Sequence, residues 1–130
     1  MRIFRNKTFS RYARKEGITD DELRALVPLL EANAPDYSLG GEVYKIRVPR
    51  PGEGKRGGYR VFVYFRNGER TSFSHGLAKS DLANISDREL ANLKASAKTF
   101  LSSTENELAK LVKNGDLIEI TEEQHEKVSK

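Results

Sequence analysis

The 130-residue sequence contains no cysteine and only two histidines, His75 and His125. Without cysteine there are neither disulfides nor thiolate metal ligands. Two histidines so far apart do not make a metal site by themselves, so neither a metal nor another cofactor is expected. No apolar run is long enough to span a bilayer, and no apolar segment follows the basic N-terminus as it would in a signal peptide. No membrane association is therefore expected, and the cytoplasm is the expected compartment. Hydrophobic residues make up 37% and charged residues 32%, which fits a folded chain with one core of ordinary size rather than a disordered one.

Charge is segregated along the chain. Residues 1–15 carry a net +6, residues 16–44 −6, residues 45–79 +7 and residues 80–130 −3. The overall +4 hides this pattern, which favours an anionic partner, either a nucleic acid or an acidic protein.

The second basic block holds two runs with strand character, Val43 to Val48 and Tyr59 to Phe65. A period of two puts Tyr44, Ile46 and Val48 on one face of the first run, and Val43, Lys45 and Arg47 on the other. In the second run Tyr59, Val61, Val63 and Phe65 oppose Arg60, Phe62, Tyr64 and Arg66. Each strand so offers an apolar face to a core and a face bearing cations. Between the runs lies Pro51-Gly-Glu-Gly-Lys-Arg-Gly-Gly58. It fails as a nucleotide-binding loop: no Gly stands five residues before Gly54, and Arg56 occupies the Ser/Thr position. Two readings stay open for it, a strand connection made soluble by charge and a mobile loop whose Lys55 and Arg56 grip RNA.

Elsewhere the helix signals are plain. Asn6 to Glu16 has Phe9, Tyr12 and Ala13 in phase and Gly17 as a stop. Thr19 and Glu22 form a capping box ahead of Leu23, Leu26, Val27 and Leu30, with a kink or early stop expected at Pro28. Asn67-Gly68 marks a hairpin, because both residues tolerate positive φ. The third strand, Arg70 to Leu77, alternates Thr71, Phe73, His75 and Leu77 with Ser72, Ser74 and Gly76. Ser86 and Glu89 cap a helix carrying Leu90, Leu93, Ala97, Phe100 and Leu101. A shorter helix over about Thr104 to Lys113 carries Leu108, Leu111 and Val112. Met1 to Phe4 and Leu117 to Ile120 are candidate short strands, the latter at a sheet edge. The expected fold is a small α+β domain over residues 1–120, an antiparallel sheet with helices packed on one face, followed by a polar tail over residues 121–130.

Lys45, Arg47 and Arg60 fall on adjacent strands at positions that can share one face. Three cations without carboxylates repel one another, which costs stability unless an anion arrives. Such a cluster suits RNA transesterification, which needs a base for the 2′-OH, positive charge around the phosphorane and an acid for the departing 5′-oxygen. A lysine can serve as the base where neighbouring cations disfavour its charge. His75 suits a general acid or a stacking partner for a base, and equally a half-buried strand residue beside Phe73 and Leu77. Tyr59, Phe62, Tyr64 and Phe73 read as packing rather than as a base-stacking platform.

Tyr44-Lys-Ile-Arg-Val48, Gly58-Tyr-Arg60 and Gly76-Leu-Ala-Lys79, taken in this order and spacing, resemble the RelE/ParE superfamily of bacterial toxins. RelE has a Tyr-Lys-Ile-Lys-Leu strand followed by Gly-Tyr-Arg. Gly54-Lys-Arg-Gly-Gly58, Phe9-Ser-Arg-Tyr-Ala13 and Asn114-Gly-Asp-Leu-Ile-Glu119 resemble its HigB-like branch, and the likeness covers about residues 1–120. The resemblance implies the RelE/ParE toxin fold and a type II toxin that cleaves mRNA in the ribosomal A site without a metal, neutralised by a cognate antitoxin of helix-turn-helix type. It implies catalytic roles for Lys45 and Arg47 at the nucleophile, Arg60 at the phosphate and Lys79 closing the site. RelE's late base-stacking tyrosine has no counterpart in Ser80-Asp-Leu-Ala-Asn-Ile85, which leaves the general acid unassigned. Two other functions stay open, a ParE-like toxin acting on DNA gyrase without cleaving RNA, and a basic module that only binds RNA or an acidic protein.

Overall fold

A computed structural model describes residues 1–50, 54–77 and 85–121, with the side chains of residues 49–50 and 54–58 outside that description. The elements run β1 (Arg2–Asn6), α1 (Lys7–Glu16), α2 (Asp20–Tyr37), β2 (Ser38–Gly40), β3 (Val43–Arg50), β4 (Gly54–Arg66), β5 (Arg70–Leu77), α3 (Asp87–Leu101), α4 (Glu105–Lys113) and β6 (Leu117–Ile120). The strands form one six-stranded sheet in the order β2-β3-β4-β5-β1-β6. Every pairing is antiparallel except that of β1 with β5.

The helices start and stop where the capping chemistry dictates. The Asn6 side chain accepts from the Phe9 N–H to open α1, and Gly17 closes it in the left-handed region at φ 74°. Thr19–Glu22, Ser86–Glu89 and Thr104–Glu107 form reciprocal capping boxes at α2, α3 and α4. α2 continues through Pro28 with helical backbone, contrary to the expected kink. Leu26, Val27 and Leu30 are buried around the proline, and this packing holds the helix on both sides of it. The interruption falls instead at Asn33, two residues before Pro35.

The α+β class is as expected, but the helices cover both faces of the sheet rather than one. On the first face α1 and α2 supply Phe9, Leu23 and Leu30 to a core with Ile46, Val48, Val61, Val63, Phe65 and Phe73. On the second, α3 and α4 supply Leu93, Ala97, Phe100 and Leu108 to a core with Phe4, Val43, Phe62 and Tyr64. The alternation in β3 and β4 explains this division, since Val43, Phe62 and Tyr64 are the apolar members of the face that also carries the cations. The face read as cationic is thus only half polar, and its apolar half takes a second helical layer.

β4 begins at Gly54, so most of the stretch expected as a loop is strand in its backbone, and Arg50 pairs with Gly54. At the next hairpin Arg66 pairs with Arg70 across three residues, and Gly68 alone takes positive φ, at 79°. Before β3, Gly40, Gly41 and Glu42 all adopt positive φ, at 88°, 60° and 63°. Glu42 is held in that costly conformation by a bidentate ion pair with Arg66, at 2.7 and 2.8 Å.

Candidate functional site

The register brings the predicted cations together. Arg47 stands directly across from Arg60, which pairs in turn with Leu77 on β5. Two residues along β3, Lys45 stands across from Phe62, which pairs with His75. Two parallel rows therefore cross β3, β4 and β5 on one face, Arg47–Arg60–Leu77 and Lys45–Phe62–His75. Directly opposed like charges destabilise a sheet, so the Arg47–Arg60 pairing is a local cost.

Among the described residues no carboxylate neutralises the cluster. Arg2, Arg5, Arg66 and Arg70, which also lie on strands, each pair with a carboxylate: Glu105 and Glu119, Asp20, Glu42, and Glu105 respectively. Among the described residues, Lys45, Arg47 and Arg60 make no such ion pair. Arg47 Nε and Arg60 Nη1 are moreover buried without a hydrogen-bond partner among the described residues. Unsatisfied buried donors are uncommon in folded proteins, and here two of them belong to adjacent guanidinium groups.

His75 reaches this face through a β-bulge. Val63 pairs with Phe73 but Phe62 pairs with His75, so Ser74 is the extra residue on β5, and its hydroxyl donates to the Phe62 carbonyl oxygen at 3.1 Å. Strict alternation would have kept His75 beside Phe73, facing α1. The bulge reverses the phase, so Phe73 joins the α1–α2 core while His75 and Leu77 join the cationic rows. Tyr59, Phe62, Tyr64 and Phe73 are all buried, in keeping with packing roles.

Burial pushes the His75 imidazole below the ordinary histidine pKa, leaving it neutral at pH 7. Since its folded pKa is depressed, its contribution to stability is complete above the unfolded value of about 6.5 and is lost as pH falls through the folded value. Melting curves taken from pH 8 down through that window should show a steeper loss for the natural chain than for His75→Gln. Equal slopes would mean that the imidazole is freely solvated.

On the same face, a cavity of about 360 Å³ opens between β4–β5 and the N-terminal half of α3. Phe62, His75 and Leu77 form its sheet side, while Glu89, Asn92, Leu93 and Ser96 come from the helix. In the sequence reading Glu89 was only a helix cap and Leu93 only an apolar position, while Asn92 and Ser96 had no part in it. Their signal is a polar stripe at i, i+3 and i+7, Glu89, Asn92 and Ser96, alongside the apolar one that buries the helix.

The remaining predicted residues are placed only in part. Lys55 and Arg56 belong to the first stretch of β4, but their side chains lie outside the description. Lys79 and the tail residues 122–130, with His125, lie outside the described residues. Among the described residues there is no cluster of His, Asp or Glu able to hold a metal ion, and no helix long and apolar enough to cross a membrane.

The family profile described as "RelE toxin of RelE / RelB toxin-antitoxin system" matches residues 1–120. The chain belongs to the RelE toxin family. Its membership makes it the toxin component of a toxin–antitoxin pair and implies an antitoxin as its partner. No curated protein matches the sequence. In this RelE-family chain the match takes in both rows of the cationic face and both helical layers that support it.

Proposed function

We propose that this RelE-family toxin is a metal-independent endoribonuclease that cleaves mRNA on the ribosome and so stops translation in the cytoplasm. The observation carrying this reading is the opposed pair Arg47–Arg60 with Lys45 beside it, free of carboxylate partners among the described residues and with two buried guanidinium donors unused. A cluster whose like charges repel and which pairs with no carboxylate among the described residues is suited to an anion that arrives from outside. A phosphodiester is such an anion, and the charge on its phosphorus oxygens grows on the way to the phosphorane.

In the reaction, the 2′-oxygen forms a bond to the adjacent phosphorus while the bond from phosphorus to the 5′-oxygen breaks. The 2′-OH proton goes to a base, the 5′-oxygen takes a proton, and the products are a 2′,3′-cyclic phosphate and a 5′-hydroxyl. Arg47 and Arg60 present the guanidinium donors that the phosphorane oxygens require. Arginine does not deprotonate in proteins, so of the three cations Lys45 is the one able to carry a proton. Lys79, Lys55 and Arg56 complete this proposal as further cations for the RNA backbone, and His75 as a neutral ring beside the scissile nucleotide. The ribosome as the place of action, and a helix-turn-helix antitoxin covering the basic face, rest on the resemblance to the HigB-like branch.

Primer extension on a defined mRNA in a reconstituted translation reaction tests the reading. A new 5′ end within an A-site codon is expected with the natural chain and not with Lys45→Ala. Growth arrest in cells without any RNA cleavage would move the target elsewhere, to DNA gyrase first.

A further inference from the structure

The cavity beside the cations has a lining that phosphate binding does not require. Phe62 on its sheet side is the cross-strand partner of Lys45, at the close spacing typical of paired strand residues, and His75 follows one strand further on. A phosphate held by Lys45 and Arg60 therefore has this opening within a side chain's width. The volume of about 360 Å³ lies at the small end of ligand pockets, enough for one flat ring system and too little for a peptide segment.

Its chemistry separates base from phosphate. Phe62 and Leu93 give it an apolar wall, and the partly exposed His75 ring offers a face for stacking. Glu89 brings a carboxylate, which repels a phosphate but accepts from an N–H. One of its oxygens already accepts from the Ser86 N–H at 3.2 Å, leaving the other open. Asn92, exposed on the same helical face, makes no side-chain hydrogen bond among the described residues, so both its donor and its acceptor are available. Two acceptors together, one from Glu89 and one from Asn92, suit a base bearing an exocyclic amino group and leave uracil, which has none, less well matched.

We infer that this cavity is a nucleobase subsite, taking the base next to the scissile phosphate and favouring adenine, cytosine or guanine over uracil. The inference rests on the proposed ribonuclease reading, since that reading supplies the RNA. Glu89 and Asn92 are assigned as specificity-determining residues, with His75 as the stacking surface.

The test uses the full chain and 2′-deoxy trinucleotides, which cannot be cleaved, carrying 2-aminopurine at the central position. Titration at low salt is expected to quench the 2-aminopurine fluorescence, and Asn92→Ala should weaken this binding about tenfold while leaving a central-uracil trinucleotide unaffected. Lys45→Ala should weaken both trinucleotides alike, because a backbone contact does not read the base. Binding that depends on Lys45 but leaves the 2-aminopurine unquenched would overturn the subsite and leave the ribonuclease reading standing. Quenching that depends on Asn92, in a chain that cleaves no mRNA in the translation reaction, would keep the subsite and overturn the ribonuclease reading. Absence of any binding to either trinucleotide overturns the subsite.

Discussion

Arg60→Ala is expected to relieve growth arrest and to lower RNA cleavage by about 10²–10³-fold, the loss that follows removal of one donor from a developing oxyanion. The same substitution should leave the melting temperature unchanged or raise it. The side chain gives up no ion pair among the described residues, one of its donors is already unpartnered, and its removal relieves the repulsion from Arg47 across the strand pair. Arg66, six residues further along the same strand, is the control. It forks onto Glu42 and donates to the Leu101 carbonyl oxygen at 3.2 Å, so Arg66→Ala should cost up to about 1 kcal/mol of stability and leave cleavage per folded molecule intact. Two arginines on one strand would then show opposite signatures, one functional and one structural. If Arg60→Ala instead unfolds the chain, the cationic row is a structural element and the site lies elsewhere.

Gly76→Ala should produce the largest loss of stability from a single added methyl group. A Cβ at this position would stand 2.0–2.3 Å from three ring atoms of Tyr12. The backbone conformation does not demand glycine here; the close approach of a ring does. Tyr12 cannot withdraw freely, because it packs against Phe9 and meets Tyr59 edge-on, with ring centroids 5.8 and 6.1 Å away. Overpacking of this kind costs about 1–3 kcal/mol. In the Tyr12→Ala background the same substitution should cost almost nothing, so urea melts of the two single variants and the double variant would isolate the contact. A full cost in both backgrounds would place the strain in the β5 backbone instead. Gly76 separates His75 from Leu77, so the contact also ties α1 to the strand end that carries both site rows.

What could be read from the sequence was local. The capping residues at Thr19 and Ser86, the Asn67-Gly68 turn and the alternation of Lys45, Arg47 and Arg60 with apolar neighbours all declare themselves within a few residues. The placement of three cations on one face followed from period-two geometry alone. Three features escaped because their causes lie far along the chain. The bulge at Ser74 leaves no mark in Thr71–Leu77, where alternation looks unbroken, yet it decides which face receives His75. The second helical layer was hidden because Phe62 and Tyr64 share a face with Arg60 and Arg66, and a mixed face does not announce that it will be half covered. Pro28 looked like a break because the stripe of Leu23, Leu26, Val27 and Leu30 was legible but the sheet core of Ile46, Val61 and Val63 that buries it was not. The cavity also depends on α3 crossing the sheet, which no window of sequence contains.

The position of β1 has a consequence for how the molecule comes into being. This strand lies between β5 and β6, and its residues Ile3 and Phe4 find Thr71, Ser72, Glu119 and Ile120 as partners. The β3–β4–β5 meander can form from neighbouring segments and carries every described cation of the site, but the sheet beneath it is closed only by strands from opposite ends of the fold. Pairings of such long sequence separation bear the largest loop-closure entropy and set the slow step of assembly. A nascent chain thus displays its positive charges before it has a scaffold to aim them. Ordering of the cationic face is expected to wait until β6 pairs with β1 and completes the sheet.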